Sequence, residues 1–351
     1  MKLGLGLYRH MLTSDNFNFA RQCGCTHLVV HLVDYFNKGN YTTRNDQPIG
    51  NQDGWGYAGN SKPLWELDSL LALKKEINKA GLELEAIENF DPADWYDILL
   101  DGPDKKNQIE EIKRYIRNLG MAGIPIMGYN FSLAGVCSRM SGNFARGGAV
   151  SVGMDETDQR PIPNGMVWNM RYDTEDAKGT IKNVSREELW QRLEYFLNEI
   201  IPVAEEAGVT LAAHPDDPPM PVLRDTPRLI YQPQLYSKLL NLNPSKNNAL
   251  EFCLGSIAEM TEGDVYEATA QYADHIGYIH FRNVKGKVPH YKEVFLDEGD
   301  IDMIRILKIL KEKDFKGVLI PDHTPQMSCE GSWYAGMAYA LGYINAALKL
   351  V

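Results

Sequence analysis

The sequence predicts an α/β chain folded as a (β/α)8 TIM barrel with long loops after strands 2 and 4. Three observations carry this. Short apolar runs alternate with longer segments of helical period along all 351 residues. The runs number eight, most of them followed by a helix, which is the repeat such a barrel requires within about 200–400 residues. No GxGxxG or GxxxxGK[ST] pattern follows the first run, so a nucleotide-binding open sheet, the main rival, loses support.

The strand candidates are Lys2–Leu7, His27–His31, Leu82–Glu88, Ile124–Asn130, Val209–His214, Ala249–Leu254, Ile276–Phe281 and Gly317–Pro321. Each is apolar in its middle, as parallel strands buried on both faces are. Amphipathic stretches between them predict helices at Leu64–Ala80, Lys106–Ala122, Arg186–Ala207, Asp264–Tyr272, Asp302–Lys313 and Tyr334–Leu348. Gly81, Gly123 and Gly208 stand where three of these helices should stop, since glycine takes the left-handed backbone that ends a helix. Ser185 and Glu188 form a capping-box pattern ahead of the longest helix. Two connections, Leu32–Lys62 and Ser132–Val184, exceed ordinary loops. Both leave carboxyl ends of strands, the face on which barrels build sites. Residues 1–351 therefore read as one barrel domain, with an insertion at about 132–184 covering the rim.

Composition narrows the partners. A net charge of −11 argues against nucleic acid and against an anionic membrane surface. No apolar run approaches the ~20 residues of a membrane span, and the N-terminal apolar stretch breaks at Tyr8-Arg9-His10 before a secretory core forms. Five cysteines without zinc-ribbon or disulfide spacing suit a reducing, cytoplasmic setting.

The chemistry gathers at the ends of the last four strands. His214 closes LAAH, Cys253 closes LEFC, His280 lies near the end of IGYIHFRN, and Asp322-His323 end VLIPDH. Singly, each has a structural reading: a hydrogen-bonded strand-end His, a buried inert Cys, an Asp capping the next turn. Together, two imidazoles, a thiolate and a carboxylate arriving at one rim make a four-ligand site for a divalent transition metal. Arg282 and Asn283 follow His280; a guanidinium there either grips a substrate carboxylate or pairs with a neighbouring acidic loop. Tyr129 and Asn130 end the fourth strand and either face the mouth, where they suit polyol recognition, or bond to backbone. His31 ends the second strand and is a further candidate lining residue. Asp216-Asp217 either make a rigid turn or orient His214. Tyr334 either covers the site or packs at the start of the last helix.

Taken together, HPDDPP at His214–Pro219, CLGS at Cys253–Ser256, HFRN at His280–Asn283 and Asp322-His323 resemble the mannonate dehydratase family of xylose-isomerase-like barrels. Tyr129-Asn130-Phe131 and GDIDM at Gly299–Met303 add to the likeness, which covers strands four to eight. The resemblance implies that His214, Cys253, His280 and Asp322 bind Mn2+ or Fe2+, and that His323 and Tyr334 transfer protons. Thiolate and imidazole ligands on their own also suit Zn2+. It implies a hydro-lyase acting on a small sugar acid, D-mannonate going to 2-keto-3-deoxy-D-gluconate, with room for a homo-oligomer. The chain departs from the family pattern at Thr324-Pro325-Gln326 and Phe295-Leu296. Two other functions use the same features: a metal-dependent sugar isomerase or epimerase, and a sugar-binding barrel without activity.

Overall fold

A computed structural model describes residues 1–37, 48, 54–173 and 178–351; most of the loop after the second strand therefore lies outside the described residues. The barrel is closed by eight parallel strands. They are β1 (Lys2–Leu7), β2 (His27–His31), β3 (Glu83–Glu88), β4 (Ile126–Tyr129), β5 (Thr210–Ala213), β6 (Asn248–Cys253), β7 (Ile276–His280) and β8 (Val318–Ile320). β8 returns to β1 through the pair Lys2 and Val318, which closes the ring. Every strand falls within two residues of its expected position.

Alternation along the strands sorts side chains between two cores. Val29, Ala86, Ile126, Ala212, Tyr278, Val318 and Ile320 pack together as the barrel lumen. Their neighbours Val30, Ile87, Met127, Leu211, Phe252, Ile279 and Leu319 belong to the larger core shared with the helices. A lumen this full needs small residues somewhere: a Cβ on Gly4 would meet Val318 Cγ1 at 2.6 Å.

The longest helix spans Arg186–Ala207, and its capping box is formed in both directions between Ser185 and Glu188. Helices at Ser14–Gln22, Pro92–Leu100, Leu235–Leu242 and Leu254–Glu259 were not legible in the periodicity. They are short, nine residues or fewer, so each shows two turns of pattern or less. No described helix is long and apolar enough to cross a membrane.

The insertion after β4 is not irregular loop alone. Its segments Met140–Ala145 and Ala149–Met154 pair with each other, and the second pairs with His290–Val294, itself hairpinned to Asn283–Lys287. This four-stranded antiparallel cap joins the loop after β4 to the loop after β7. Its strands are brought together from distant parts of the chain, so local alternation alone does not reveal them.

Candidate active site

Register decides which residues meet. Continuing the lumen alternation by one step past the inner layer selects His31 on β2, Glu88 on β3, Cys253 on β6 and His280 on β7. One step beyond the other strand ends lie Tyr8, Asn130, His214 and Asp322. Cys253 sits directly beside His280 in the β6–β7 ladder, and His31 beside Glu88 in the β2–β3 ladder. All these side chains except Cys253 line one cavity of about 530 Å³, a size suited to a small metabolite.

Ligand-type atoms of His214, Cys253 and His280 lie within 4.8 Å of one another. His214 Nδ1 is 2.7 Å from the Pro215 carbonyl oxygen, which leaves Nε2 for the site. On His280 the roles are reversed. Nε2 is 3.2 Å from both Glu88 and Glu251, whereas Nδ1 makes no hydrogen bond and lies 3.4 Å from Asp322 Oδ2. Asp322 is thus adjacent to His280 but outside the tight group of three. A buried imidazole nitrogen with no hydrogen bond, beside a thiol, a second imidazole and a carboxylate, fits a divalent transition metal. The carboxylates behind His280 Nε2 are the outer partners that orient a metal-ligating histidine.

The electrostatics match such a ligand set. Burial disfavours a thiolate at Cys253, yet the Arg282 guanidinium and hydrogen bonds from His214 and His280 hold its pKa well below the ordinary thiol value. Burial likewise opposes charge on His214, but the hydrogen bond to Cys253 and the charge of Glu251 carry it up to about 9. Negative ligands here hold protons on imidazoles. A cation bound among them would take over that positive charge. Beneath, burial and the neighbouring Glu88 raise Glu251 well above the carboxylate range. Glu88 is pushed against its own burial to about 2 by His31 and His280. The pair fits into the lumen because Gly128 has no side chain: a Cβ there would stand 2.3 Å from the Tyr278 hydroxyl and 2.4 Å from Glu251.

Arg282 takes the second of its two sequence readings. Its guanidinium is buried and sits 2.8 Å from Glu259, 3.0 Å from Glu293 and 3.1 Å from Asp217. Nη2 also reaches Cys253 Sγ at 3.4 Å, and Ser256 Oγ donates to the same sulfur at 3.1 Å. Held by carboxylates and absent from the cavity lining, Arg282 serves the thiolate and not a substrate carboxylate. The open cation is Arg139, from the insertion: it lines the cavity, pairs with Asp217, and its Nε makes no hydrogen bond.

Three further expectations are corrected by position. Asn283 is spent internally, donating to the Leu296 and Ile301 carbonyl oxygens at 2.8 and 2.9 Å. Tyr129 follows the outward register of β4 and packs 5.6 Å from Phe196 of the helix layer, away from the mouth. Tyr334 donates to Asn16 at 2.8 Å and stacks edge-on against Phe19, outside the cavity. Asn130 does line it, bracing the turn after β5 by donating to the Pro215 carbonyl at 2.8 Å and accepting from Trp168 Nε1 at 3.1 Å. His323 faces the cavity with Nε2 3.2 Å from Asp322 and Nδ1 3.3 Å from Glu293. Sequence reasoning missed Tyr8, Glu88 and Glu251. Extending the period of two along β1, β3 and β6 would have found all three. Glu293 and Trp168 carried no such signal, because they arrive from the cap and the insertion.

The D-mannonate dehydratase family model matches residues 51–152 and 153–349. A mannonate dehydratase of Streptococcus suis is 36% identical over 275 residues, covering 74% of either chain. That of Oceanobacillus iheyensis is 32% identical over 306 residues, covering 82% of this chain and 86% of its own. The crystal structure of a mannonate dehydratase from Streptococcus suis superposes with a TM-score of 0.78 at 28% identity, over 100% of this chain and 93% of the other. An L-ribulose 3-epimerase shares the fold at a TM-score of 0.55 and 16% identity, over 99% and 94% of the two chains. A family match across most of the chain, and relatives above 30% identity over most of their own length, make this enzyme a hydro-lyase of sugar acids and a member of the D-mannonate dehydratase family.

Proposed function

We propose that the rim site removes water from D-mannonate to give 2-keto-3-deoxy-D-gluconate. The observation that carries this is the juxtaposition, in one cavity, of a transition-metal ligand set with a proton-carrying imidazole, in a chain of this family. His214, Cys253, His280 and Asp322 would hold Mn2+ or Fe2+; an imidazole, thiolate and carboxylate mixture suits either, and Zn2+ as well. When bound, such an ion supplies Lewis-acid stabilisation of the negative charge that develops on the sugar acid's carboxyl end.

The remaining work falls to the chain. The reaction breaks a C2–H bond and a C3–O bond, so one proton must leave carbon and one must reach the departing hydroxyl. His323 Nε2, at the cavity wall, is the atom we assign to proton transfer. Arg139 supplies the positive charge for the substrate carboxylate, and Tyr8, Tyr35 and Asn89 offer polar groups along the opposite wall. Trp55 and Trp168 pack edge-on at 5.5 Å and keep water from that side.

Incubation with D-mannonate and Mn2+ followed by mass measurement tests this reading. A product lighter by one water is expected. A product of unchanged mass would favour isomerisation or epimerisation instead.

A further inference from the structure

Glu293 lies in the cap, not in the barrel. It sits in the middle strand His290–Val294, paired on one side with Val284, and its backbone carbonyl accepts from Ser151 Oγ of the insertion at 2.7 Å. Both flanking strands therefore hold this residue in place. Its buried side chain reaches down to the rim, where the two carboxylate oxygens divide their work. Oε1 is 3.0 Å from Arg282 Nη1 and 4.0 Å from Arg139 Nη1. Oε2 is 3.3 Å from His323 Nδ1, a nitrogen that makes no hydrogen bond elsewhere. Among the described residues, Asp217, Glu259 and Glu293 all pair with Arg282, and of the three Glu293 alone also meets His323.

We infer that Glu293 is a positioning residue for His323. It holds the imidazole with its proton on Nδ1 and leaves Nε2, which faces the cavity, as the atom that gains and loses a proton. This rests on the assignment of proton transfer to His323 made above. The physical basis is general: a carboxylate against one ring nitrogen sets the tautomer and orientation of the other, and stabilises the imidazolium while it exists. The cap thereby takes part in the chemistry, because the strand that bears Glu293 is ordered by pairing with the insertion.

The test is a double-mutant cycle on the Mn2+-loaded enzyme, reading kcat and KM for water loss from D-mannonate. Glu293→Gln keeps the shape of the side chain and removes its charge. It is expected to lower kcat about 10- to 100-fold and to leave KM within about two-fold. Introduced on top of His323→Ala, the same change should cost less than about two-fold further, since coupled residues are not additive. Equal losses in both backgrounds would overturn the inference, as would an unchanged kcat for Glu293→Gln alone. Glu293→Asp, which keeps the charge, is the second variant should the Gln form fail to fold; it is expected to retain more activity than an Ala variant at the same position, and equal activity would count against the inference. Full activity in His323→Ala would overturn the underlying assignment, a result distinct from any of these.

Discussion

The two halves of the barrel rim share one register and differ in chemistry. Strands β5 to β8 end in His214, Cys253, His280 and Asp322, with Arg282, Asp217, Glu259 and Glu293 packed behind them in a dense charge network. Strands β1 to β4 end in Tyr8, His31, Glu88 and Asn130, covered by Tyr35, Trp55 and Trp168 in mutual ring contact. One half concentrates charge where charge must develop; the other supplies shape and excludes water. The difference teaches that a barrel can divide labour by angle around its mouth, because each strand contributes its own end residue independently of its neighbours. Glu88 is the crossing point. It belongs to the aromatic half by strand, yet lies 3.2 Å from His280 across the lumen.

The largest expected effect breaks the charged half. Cys253→Ala should lose both the bound cation and turnover, by at least about 1,000-fold; full activity with metal retained would refute the ligand assignment. Removing the cation with a chelator should silence the enzyme, and Mn2+ should restore it. With His214 carried to about 9, cation binding at pH 7 must displace its proton, so affinity should rise with pH, about tenfold per unit for each proton displaced. Calorimetry in buffers of different ionisation enthalpy reads that release directly, and a buffer-independent heat would contradict it.

Smaller effects probe the other half and the seam between them. Gly128→Ala places a methyl 2.3 Å from the Tyr278 hydroxyl and should destabilise the fold by about 1–3 kcal/mol, seen as a lower unfolding midpoint. Trp168→Ala should raise KM by about tenfold while kcat stays within a few-fold, the mark of a residue that shapes binding; a selective fall in kcat would move Trp168 into the charged half's role. The smallest change is Tyr334→Phe. It removes one hydrogen bond to Asn16, worth about 0.5–1.5 kcal/mol of stability, and steady-state kinetics should match the parent. A large drop in kcat would return Tyr334 to the site.

Much of the architecture was legible because parallel barrel strands are continuous apolar runs, and because helix stops and caps are local. Ser185 with Glu188, and Gly81, Gly123 and Gly208 at positive φ, are interactions among near neighbours in sequence. The strand-end positions of His214, Cys253 and His280 follow from the same local pattern. Arg282 was less legible. Its position is local, whereas its partners Asp217, Glu259 and Glu293 come from three other segments, so its ionic role could not be separated from substrate binding. Tyr129 was readable in principle: parity with the lumen residue Ile126 places it outside, where Phe196 waits.

What the amino-acid order determined by itself is the eight-strand repeat, the height of each strand end, and the residue type displayed there. Those depend on periodicity and on chain-local hydrogen bonding. Tertiary structure alone decided that the insertion and the β7 hairpin form one sheet, that Glu293 reaches His323 from that sheet, and that Arg139 opens to the cavity while Arg282 does not. Such facts depend on contacts between segments far apart in the chain, and each is settled by which partner satisfies a buried charge first.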